Sequence, residues 1–430
     1  MDDAPPAHSA SDRLEQLRRS IRRRRRAERR FRIYGVVAVS VGILTVTLLF
    51  ADIAAKGWSA FLLTHLRLEL RLAPDLVDPQ GDRSPESLAQ GDYARIIKAA
   101  LRARFPEVRK RRDKRALYRL VSSAAPYVLR DRLLEHPDWI GKTVSVWLPA
   151  SDDVDMWMKG QLGPESERLS AKQRAWLALL DEHGDLRKRW NGFFLTQGDS
   201  RQPEVAGIAA AVSGSFFTLL VTLLLSFPIG VAAAVYLEEF APKSRLTDLI
   251  EVNINNLAAV PSIVFGLLGL AVFIQFFGVP RSTPLVGGLV LALMTLPTII
   301  VASRAALQSV PPSIRDAALA LGASRMQTVG HHVLPLAMSG VLTGTIIGMA
   351  RALGETAPLL MIGMVAFIVD IPKGPLDPAT VLPVQIYLWA DAAERAYVEK
   401  SSAAIMVLLV FLLLMNLTAI LLRRRFEQRW

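Results

Sequence analysis

The uncharged runs of this sequence limit its fold more than any other feature. The hydrocarbon core of a bilayer is about 30 Å thick and a helical residue rises about 1.5 Å, so about 20 apolar residues can cross it. Six stretches of the chain are long enough and carry almost no charge. The sequence therefore predicts an all-α polytopic membrane protein with six transmembrane helices. The stretches are residues 33–51, 205–237, 252–280, 282–303, 333–369 and 401–422.

A dense run of arginines precedes the first uncharged stretch. The formal net charge is +12, and residues 13–32 hold much of the surplus. Basic residues beside a first span keep that end in the cytoplasm, and anionic lipid adds about 1 kcal/mol for each of them near the surface. Nucleic-acid binding is the alternative, but no recognition fold surrounds the run. We expect membrane lipid and no nucleic acid as its partner, with both chain termini in the cytoplasm.

A long polar segment separates the first two uncharged stretches. Residues 65–72 alternate between polar and apolar side chains, as do residues 143–148, which predicts two half-buried strands. Ser84 and Ser170 are typical N-caps of helices. The segment is interpreted as an inserted α+β extracytoplasmic domain. The predicted divisions are a basic cytoplasmic tail (1–32), the first span (33–55), the insertion (56–203), the main transmembrane domain (204–425) and a C-terminal cytoplasmic tail (426–430).

The composition argues against an enzyme. There is no cysteine, which excludes disulfides, thiol catalysis and thiolate metal sites, and the six histidines are scattered. We expect no catalytic residues, no metal and no cofactor. Gly141, Lys142 and Thr143 spell the end of a phosphate-binding loop, but His136 stands where that motif needs its first glycine. Any energy from ATP must therefore come from another subunit.

The loop between the fourth and fifth uncharged stretches, residues 309–335, predicts two short helices. Pro311 and Pro312 end the preceding span, and Gly322 allows a sharp turn. We refer to these two predicted helices and their turn, residues 309–335, as the knob. An apolar face on the knob would require a groove on a partner protein, and the alternative is an ordinary surface hairpin. The face is predicted from Ile314, Ala317, Ala318 and Leu321.

The sequence DAALALG, followed by VLP at 333–335, resembles the EAA loop of ABC importer permeases. Asp316 replaces the usual glutamate, and His332 stands where an aliphatic residue is usual. In that family the loop docks into the ATP-hydrolysing subunit. The resemblance implies that the residues contacting the ATPase are Arg315, Asp316, Ala317, Ala318, Gly322, Leu334 and Pro335.

Two charged residues, Arg351 and Glu355, interrupt the fifth stretch. A single helix over 333–369 would be far longer than a bilayer needs, so either its start protrudes or it breaks near Gly354 and Pro358. Spacing of i, i+4 allows the two charges to pair. An arginine at mid-span costs about 3 kcal/mol, so it faces a bundle interior or a water-filled path. The alternatives are a pair that locks helices together and an anion path in which guanidinium binds an oxyanion.

RALGETAPLL at 351–360 resembles PstA-type permeases of bacterial phosphate ABC importers, together with YLEEFAP at 236–242 and NLAAVPSIVFGLLGL at 256–270. The similarity covers about residues 190–425, and the remainder resembles an extension found in part of that family. It implies a type I ABC importer permease in the bacterial inner membrane, with Arg351, Glu355 and Thr356 on the phosphate route.

The same resemblance implies four kinds of partner besides lipid. They are inorganic phosphate, a second related permease subunit, two copies of an ATPase subunit and a periplasmic phosphate-binding protein. A permease for sulfate or molybdate is the closer alternative. A membrane sensor is the more distant one, because no cytoplasmic loop is long enough for a kinase or cyclase.

Overall fold

The computed structural model describes residues 10–163 and 166–426, so parts of both predicted tails lie outside it. The chain divides into two compact units, residues 1–55 and 56–430. The first unit consists of helix α1, Ala10–Gly57, whose last two residues belong to the second unit. No proline interrupts α1, and every residue of its uncharged stretch is exposed. A helix that is apolar on all sides is suited to lipid.

The insertion is built on a three-stranded antiparallel sheet of order β2-β1-β3. The strands are β1 (Leu62–Arg71), β2 (Thr143–Pro149) and β3 (Leu186–Trp190). The two strands predicted by alternation are confirmed. Strand β3 was not predicted because its sequence, LRKRW, places one buried residue before four exposed ones. Its pairing with β1 therefore comes from the fold rather than from local pattern.

Helices cover one face of this sheet, and two of them begin at the N-caps that the sequence predicts. The Ser84 hydroxyl accepts a hydrogen bond from Ser87 N, and Ser170 forms a capping box with Gln173, so both predicted N-caps are confirmed. The helices are α2 (Pro74–Val77), α3 (Pro85–Ala89), α4 (Tyr93–Arg104), α5 (Arg111–Tyr118), α6 (Ala125–Glu135), α7 (Asp152–Met158), α8 (Ala171–Glu182) and α9 (Gly192–Thr196).

The core of the insertion lies between the sheet and these helices. Leu66, Leu68 and Leu70 alternate along β1, and their side chains are buried against α4 and α6 through residues such as Leu101 and Leu129. Burial of each leucine contributes about 2 kcal/mol. The alternation in the sequence thus becomes an apolar face and a polar face of the sheet.

The second half of the chain is helical. Its helices are α10 (Ala209–Val235), α11 (Arg245–Ala258), α12 (Ser262–Leu268), α13 (Pro284–Gln308), α14 (Pro312–Ala320), α15 (Arg325–Thr328), α16 (Leu334–Gly354), α17 (Ala357–Met361), α18 (Leu382–Ala390) and α19 (Arg395–Phe426). Five-residue π turns extend α10 through Tyr236–Phe240 and lead into α16 at Val329–Val333. An eight-residue π segment, Gly269–Phe276, extends α12.

Five helices among the described residues are long and apolar enough to cross a membrane, and a bent pair makes a sixth if it counts as one span. The bent pair covers Arg245–Ala258 and Ser262–Phe276, at 104° to each other. The candidate span over 252–280 therefore consists of two helices, and the count of six spans holds if this bent pair is one span. Pro261 explains the break, because proline disfavours helical backbone at the residue before it.

The fifth uncharged stretch also breaks. Helix α16 ends at Gly354, α17 begins at Ala357 and ends at Met361, and residues 366–381 are irregular. The predicted break near Gly354 and Pro358 is confirmed, and the alternative of one continuous helix is wrong. The helices in this half of the chain therefore break at two places, before Pro261 and between Gly354 and Ala357.

Candidate functional site

Arg351 lies in the last turn of α16, where a positive charge faces the unpaired carbonyl groups of the helix end. Its Nε is 3.6 Å from Glu355 Oε1, so the predicted pair forms. The pair does not lie on one continuous helix, because Glu355 has extended backbone (ψ 122°) after the helix ends. At that distance the contact is an ion pair rather than a short hydrogen bond.

The Arg351 side chain is 49% exposed within this chain. Among the described residues, it makes no hydrogen bond or ion pair to another helix. The interpretation that this pair merely locks helices of the chain together is therefore not supported. Ile347, one turn earlier, is also exposed, so this face of α16 is open.

The chain turns away from α16 because α17 is held against α12. A Cβ on Gly266 would lie 2.7 Å from Pro358 Cα and 2.9 Å from Pro358 O, so only glycine allows this approach of backbones. Val260, in the break between α11 and α12, packs on the same core cluster as Leu353 and Leu359. The two helix breaks thus share one core. Irregular backbone is tolerated in a membrane protein where protein buries it or where it lines a cavity.

The structure brings the three residues of the predicted path together at this break. Glu355 is the residue after the last turn of α16, and Thr356 precedes α17. Thr356 is half-buried, and its carbonyl accepts a hydrogen bond from Leu360 N. A guanidinium, a carboxylate and a hydroxyl therefore lie within six residues of chain, between the end of the long helix α16 and the start of the short helix α17.

The predicted knob is present as α14 and α15. Gly322 has φ +90°, a conformation that favours glycine, and it lies between the two helices. Ser324 and Gln327 form a capping box at the start of α15. The chain then passes through the π turn at Val329–Val333 into α16, with Leu334 and Pro335 in its first turn. The two helices joined at Gly322 are confirmed.

Arg315 is oriented differently from the expectation for a residue that contacts another protein. Its Nη2 lies 2.6 Å from Glu239 Oε1, and the guanidinium also donates to the carbonyls of Leu307 and Val310, at 2.9 and 2.7 Å. The side chain therefore ties the knob to the end of α10 and to the end of α13. Its donors are directed into this chain.

A second set of ion pairs holds the same region. Arg304 on α13 lies 2.8 Å from Glu251 on α11 and 3.4 Å from Glu238 in the π turn after α10. Sequence reasoning did not find these pairs, because 53 and 66 residues separate the partners and no spacing rule relates them. The available signal was the adjacent pair Glu238 and Glu239 at the end of an uncharged stretch.

The chain covers only part of the predicted apolar face of the knob. Ala318 is buried and Ile314 is half-buried, whereas Ala317 and Leu321 are exposed. Leu321 is 90% exposed, and Met326 on α15 is also exposed. Asp316 is exposed beside them. The knob therefore uses one side to contact the chain and leaves an apolar tip free.

Two family models match the chain. Residues 18–168 match a domain of unknown function, DUF3333, and residues 226–430 match the binding-protein-dependent transport system inner membrane component. The first model covers most of α1 and much of the insertion. The second covers the helix breaks and the knob.

Curated relatives agree with the second model. The probable ABC transporter permease protein YqgH of Bacillus subtilis is 34% identical over 231 residues, which are 52% of this chain and 72% of the relative. The phosphate transport system permease protein PstA of Yersinia pestis is 30% identical over 215 residues, 50% of this chain and 71% of the relative. The probable permease YqgI of Bacillus subtilis is 36% identical over 39% of this chain, which spans only 56% of that relative's length.

A solved structure of the MetNI methionine ABC transporter, in an inward-facing conformation, is similar over 51% of this chain and 97% of its own, with 19% identity and a TM-score of 0.43. The curated relatives have a higher sequence identity to this chain, 30% to 36%. On the strength of the family model and the curated relatives, this chain belongs to the family of binding-protein-dependent transport inner-membrane components, the permease subunits of ABC importers, with PstA phosphate permeases among its relatives.

Proposed function

We propose that this chain is a permease subunit of an ATP-driven importer of inorganic phosphate. The observation that carries the proposal is the position of Arg351, a half-exposed guanidinium beside a helix break with no partner from another helix of the described chain. A buried or membrane-level arginine is costly unless it meets an anion or water. The names of the PstA relatives support phosphate as that anion.

The proposed path uses Arg351, Glu355 and Thr356 in different ways. The planar guanidinium can donate two parallel hydrogen bonds to one oxyanion. Glu355, 3.6 Å away, competes for the same guanidinium, so the anion is held weakly enough to leave. The Thr356 hydroxyl is a neutral donor for a further phosphate oxygen. A second, related permease subunit would supply the opposite wall.

The proposed coupling uses the knob. The exposed tip with Leu321 enters a groove of an ATPase subunit, while Arg315 and Glu239 transmit its movement to α10. Asp316, Ala317 and Gly322 belong to the contact surface, and Ala318, Leu334 and Pro335 position it. Two ATPase copies, one for each permease subunit, would move the two knobs together and alternate the access of the path.

The proposed topology places the arginine-rich start of α1, the knob and the C-terminus in the cytoplasm, and the insertion outside it, in the bacterial inner membrane. Arginines at 423–425 after the last apolar run agree with this orientation. A periplasmic phosphate-binding protein would deliver the anion on the side of the insertion. ATP hydrolysis belongs to the separate ATPase, and the five divisions given above remain our proposed domain boundaries.

Uptake of labelled phosphate by vesicles that contain the whole importer tests the proposal. Arg351→Ala should lower uptake about tenfold or more, a loss of at least about 1.4 kcal/mol of interaction. Arg351→Lys should restore part of the rate, since lysine keeps the charge without the two-donor geometry. Arg245→Ala, at an exposed arginine of α11, is the control and should transport normally.

Two results would contradict the proposal. Unchanged transport kinetics for Arg351→Ala, in an assembly of normal composition, would remove this residue from the path. Competition by sulfate or molybdate that equals competition by unlabelled phosphate would replace phosphate by a broader class of oxyanion while leaving the permease assignment intact.

A further inference from the structure

The outward face of the insertion's sheet carries three arginines around one tryptophan. The guanidinium carbons of Arg67, Arg187 and Arg189 lie 5.7, 5.8 and 5.6 Å from the centroid of the Trp147 ring. The strand register produces this grouping, because Arg67 on β1 is opposite Trp147 on β2, and His65 on β1 is opposite Arg187 on β3. All three arginines are exposed. We refer to these four residues as the arginine face.

The positive charge of the arginine face is only partly compensated. Arg67 lies 2.8 Å from Asp185, but the same carboxylate also binds Arg104 at 2.8 Å. Within the described residues, Arg187 and Arg189 have no carboxylate within ion-pair distance. The pKa of the nearby Arg132 is lowered by burial and by the charge of Arg189, as expected where like charges collect. The cation–π contacts to Trp147 orient the arginines without neutralising them.

An aromatic margin lies at the end of β3, one residue beyond Arg189. Trp190 is the last residue of β3, is 60% exposed and stacks on Phe61 at 5.7 Å. Phe61 also contacts Trp58, which is 63% exposed, at 6.0 Å. Exposed tryptophans of this kind are typical of the boundary between hydrocarbon and water.

The contacts of this margin place it at the level of the membrane boundary. A Cβ on Gly57, next to Trp58, would lie 2.8 Å from Ala403 N and from Met406 Sδ on α19. Those two residues are at the start of the uncharged stretch of α19. The margin therefore lies where the last span begins, on the side of the insertion.

The dimensions of strand and bilayer bring the arginines to the headgroups. A strand rises about 3.3 Å per residue, so Arg189 is within about 4 Å of Trp190 along β3, and Arg187 is about 10 Å away. The polar layer of each leaflet extends about 5 to 8 Å beyond the hydrocarbon. Arginine side chains on this strand can thus reach headgroup phosphates when Trp190 is at the boundary.

We infer that the arginine face binds the anionic headgroups of the adjacent leaflet, with Trp58 and Trp190 as interfacial anchors. The occupant is lipid rather than a soluble anion or an acidic protein, because the arginines of β3 lie within one to three residues of an aromatic margin that contacts the start of the last span. Guanidinium groups bind phosphate oxygens through paired donors, and basic residues near an anionic surface are attracted to it. The surface is independent of the path proposed at Arg351.

The test uses the full-length chain in lipid nanodiscs of phosphatidylcholine alone or with three parts in ten of phosphatidylglycerol. The Tm gained from phosphatidylglycerol is compared for the wild type, Arg187→Gln/Arg189→Gln and Arg109→Gln/Arg111→Gln. The last pair removes the same charge from exposed positions elsewhere on the insertion. We expect the Tm gain from phosphatidylglycerol to fall by half or more in Arg187→Gln/Arg189→Gln and to stay unchanged in the control pair. Arg187→Lys/Arg189→Lys should keep most of the gain. The arginine-rich start of the chain is identical in all variants.

Retained lipid provides the second measurement, in case a variant alters stability for another reason. Mass spectrometry after detergent extraction should show at least one phosphatidylglycerol fewer per chain in Arg187→Gln/Arg189→Gln than in the control pair. An equal gain and equal retention in both pairs would overturn the inference. A Tm gain of the same size from inorganic phosphate in phosphatidylcholine nanodiscs would also overturn it, because the face would then bind a soluble anion. Normal lipid retention by Arg187→Gln/Arg189→Gln, together with loss of a protein subunit when the variant is purified with its partners, would overturn it in favour of an acidic protein.

Discussion

Asp152 is a single residue whose protonation is set by its neighbours. Its backbone N–H donates to Glu204 Oε1 at 2.7 Å, and its Oδ1 and Glu204 Oε2 are buried without hydrogen-bond partners among the described residues. Burial, followed by the charge of Glu204, raises the pKa of Asp152 from 3.8 to about 7. Burial also raises the pKa of Glu204. Asp153, Asp155, Arg168 and Lys400 are the other charges that act on this pair.

This environment predicts a pH-dependent effect of Asp152→Asn. The folded chain keeps a proton on Asp152 that the unfolded chain loses above about pH 4, so the stability of the wild type falls as pH rises from about 4 to 7 and levels off above 7. The amide cannot ionise. We expect the variant to be more stable by about 1 to 2 kcal/mol at pH 8, a discounted figure because the side chain is partly open to solvent.

Thermal unfolding between pH 5 and pH 8 measures this difference. The gap in Tm between variant and wild type should widen with pH. Glu204→Gln should reduce it, since removing the neighbouring charge lowers the pKa of Asp152. A gap that is constant across the range would contradict the assignment.

Residue types revealed part of the candidate site, and the structure supplied the rest. Arg351 and Glu355 were evident from sequence because charge inside an uncharged run is rare and costly. The orientation of Arg315 was not, because its partner Glu239 is 76 residues away and the two meet only when α10 and α13 pack together. Local sequence records the presence of a charge, whereas its partner depends on tertiary contacts.

At the scale of elements, one side of the knob contacts the rest of the chain through Arg315, and its tip at Leu321 is exposed. Leu321→Asp should leave the free energy of unfolding of the subunit within about 0.5 kcal/mol of the wild type, because this side chain is almost fully exposed. It should lower the amount of ATPase that co-purifies about tenfold, since a carboxylate would enter an apolar groove. Quantified subunit ratios after affinity purification provide the measurement.

The matched control for this prediction is Leu376→Asp, an exposed leucine in the irregular segment after α17. It should leave ATPase recovery unchanged. Full recovery of the ATPase with Leu321→Asp would show that the tip of the knob is outside the contact.

The elements were predicted unequally. Uncharged length identified the spans, and N-cap serines identified two helices of the insertion, because these signals are local. The 104° bend between α11 and α12 was missed because the run of apolar residues continues across it. Pro261 was the only local sign of the break, and proline is also tolerated within the long helices α10 and α13. Packing of α17 on α12 at Gly266 distinguishes this place from those two.

At the scale of the molecule, a buried ion-pair network joins the insertion to the last span. Lys159 Nζ lies 2.7 Å from Asp155 Oδ2 and 2.7 Å from Glu399 Oε1, and all three side chains are buried. Asp155 also accepts a hydrogen bond from Thr64 N at the start of the sheet. The network thus connects β1, α7 and the first turns of α19.

Removal of the central lysine should destabilise the subunit strongly. Lys159→Met leaves two buried carboxylates without their cation, for which we expect a cost of about 3 to 5 kcal/mol. Lys159→Met combined with Glu399→Gln should recover part of this loss. The measurement is Tm in detergent, and Lys142→Met serves as control because its contact with Asp138 is exposed. Equal Tm values for the two lysine variants would contradict the structural role of Lys159.

The attachment of the insertion to α19 has a mechanical consequence for transport. If α19 tilts during the proposed transport cycle, we expect the insertion to move with it, because the buried ion pairs of Lys159 connect the two. A bulky antibody fragment bound to the insertion would then hinder the tilting of α19. In the proposed importer, such a fragment would slow turnover although it contacts neither the anion path nor the ATPase.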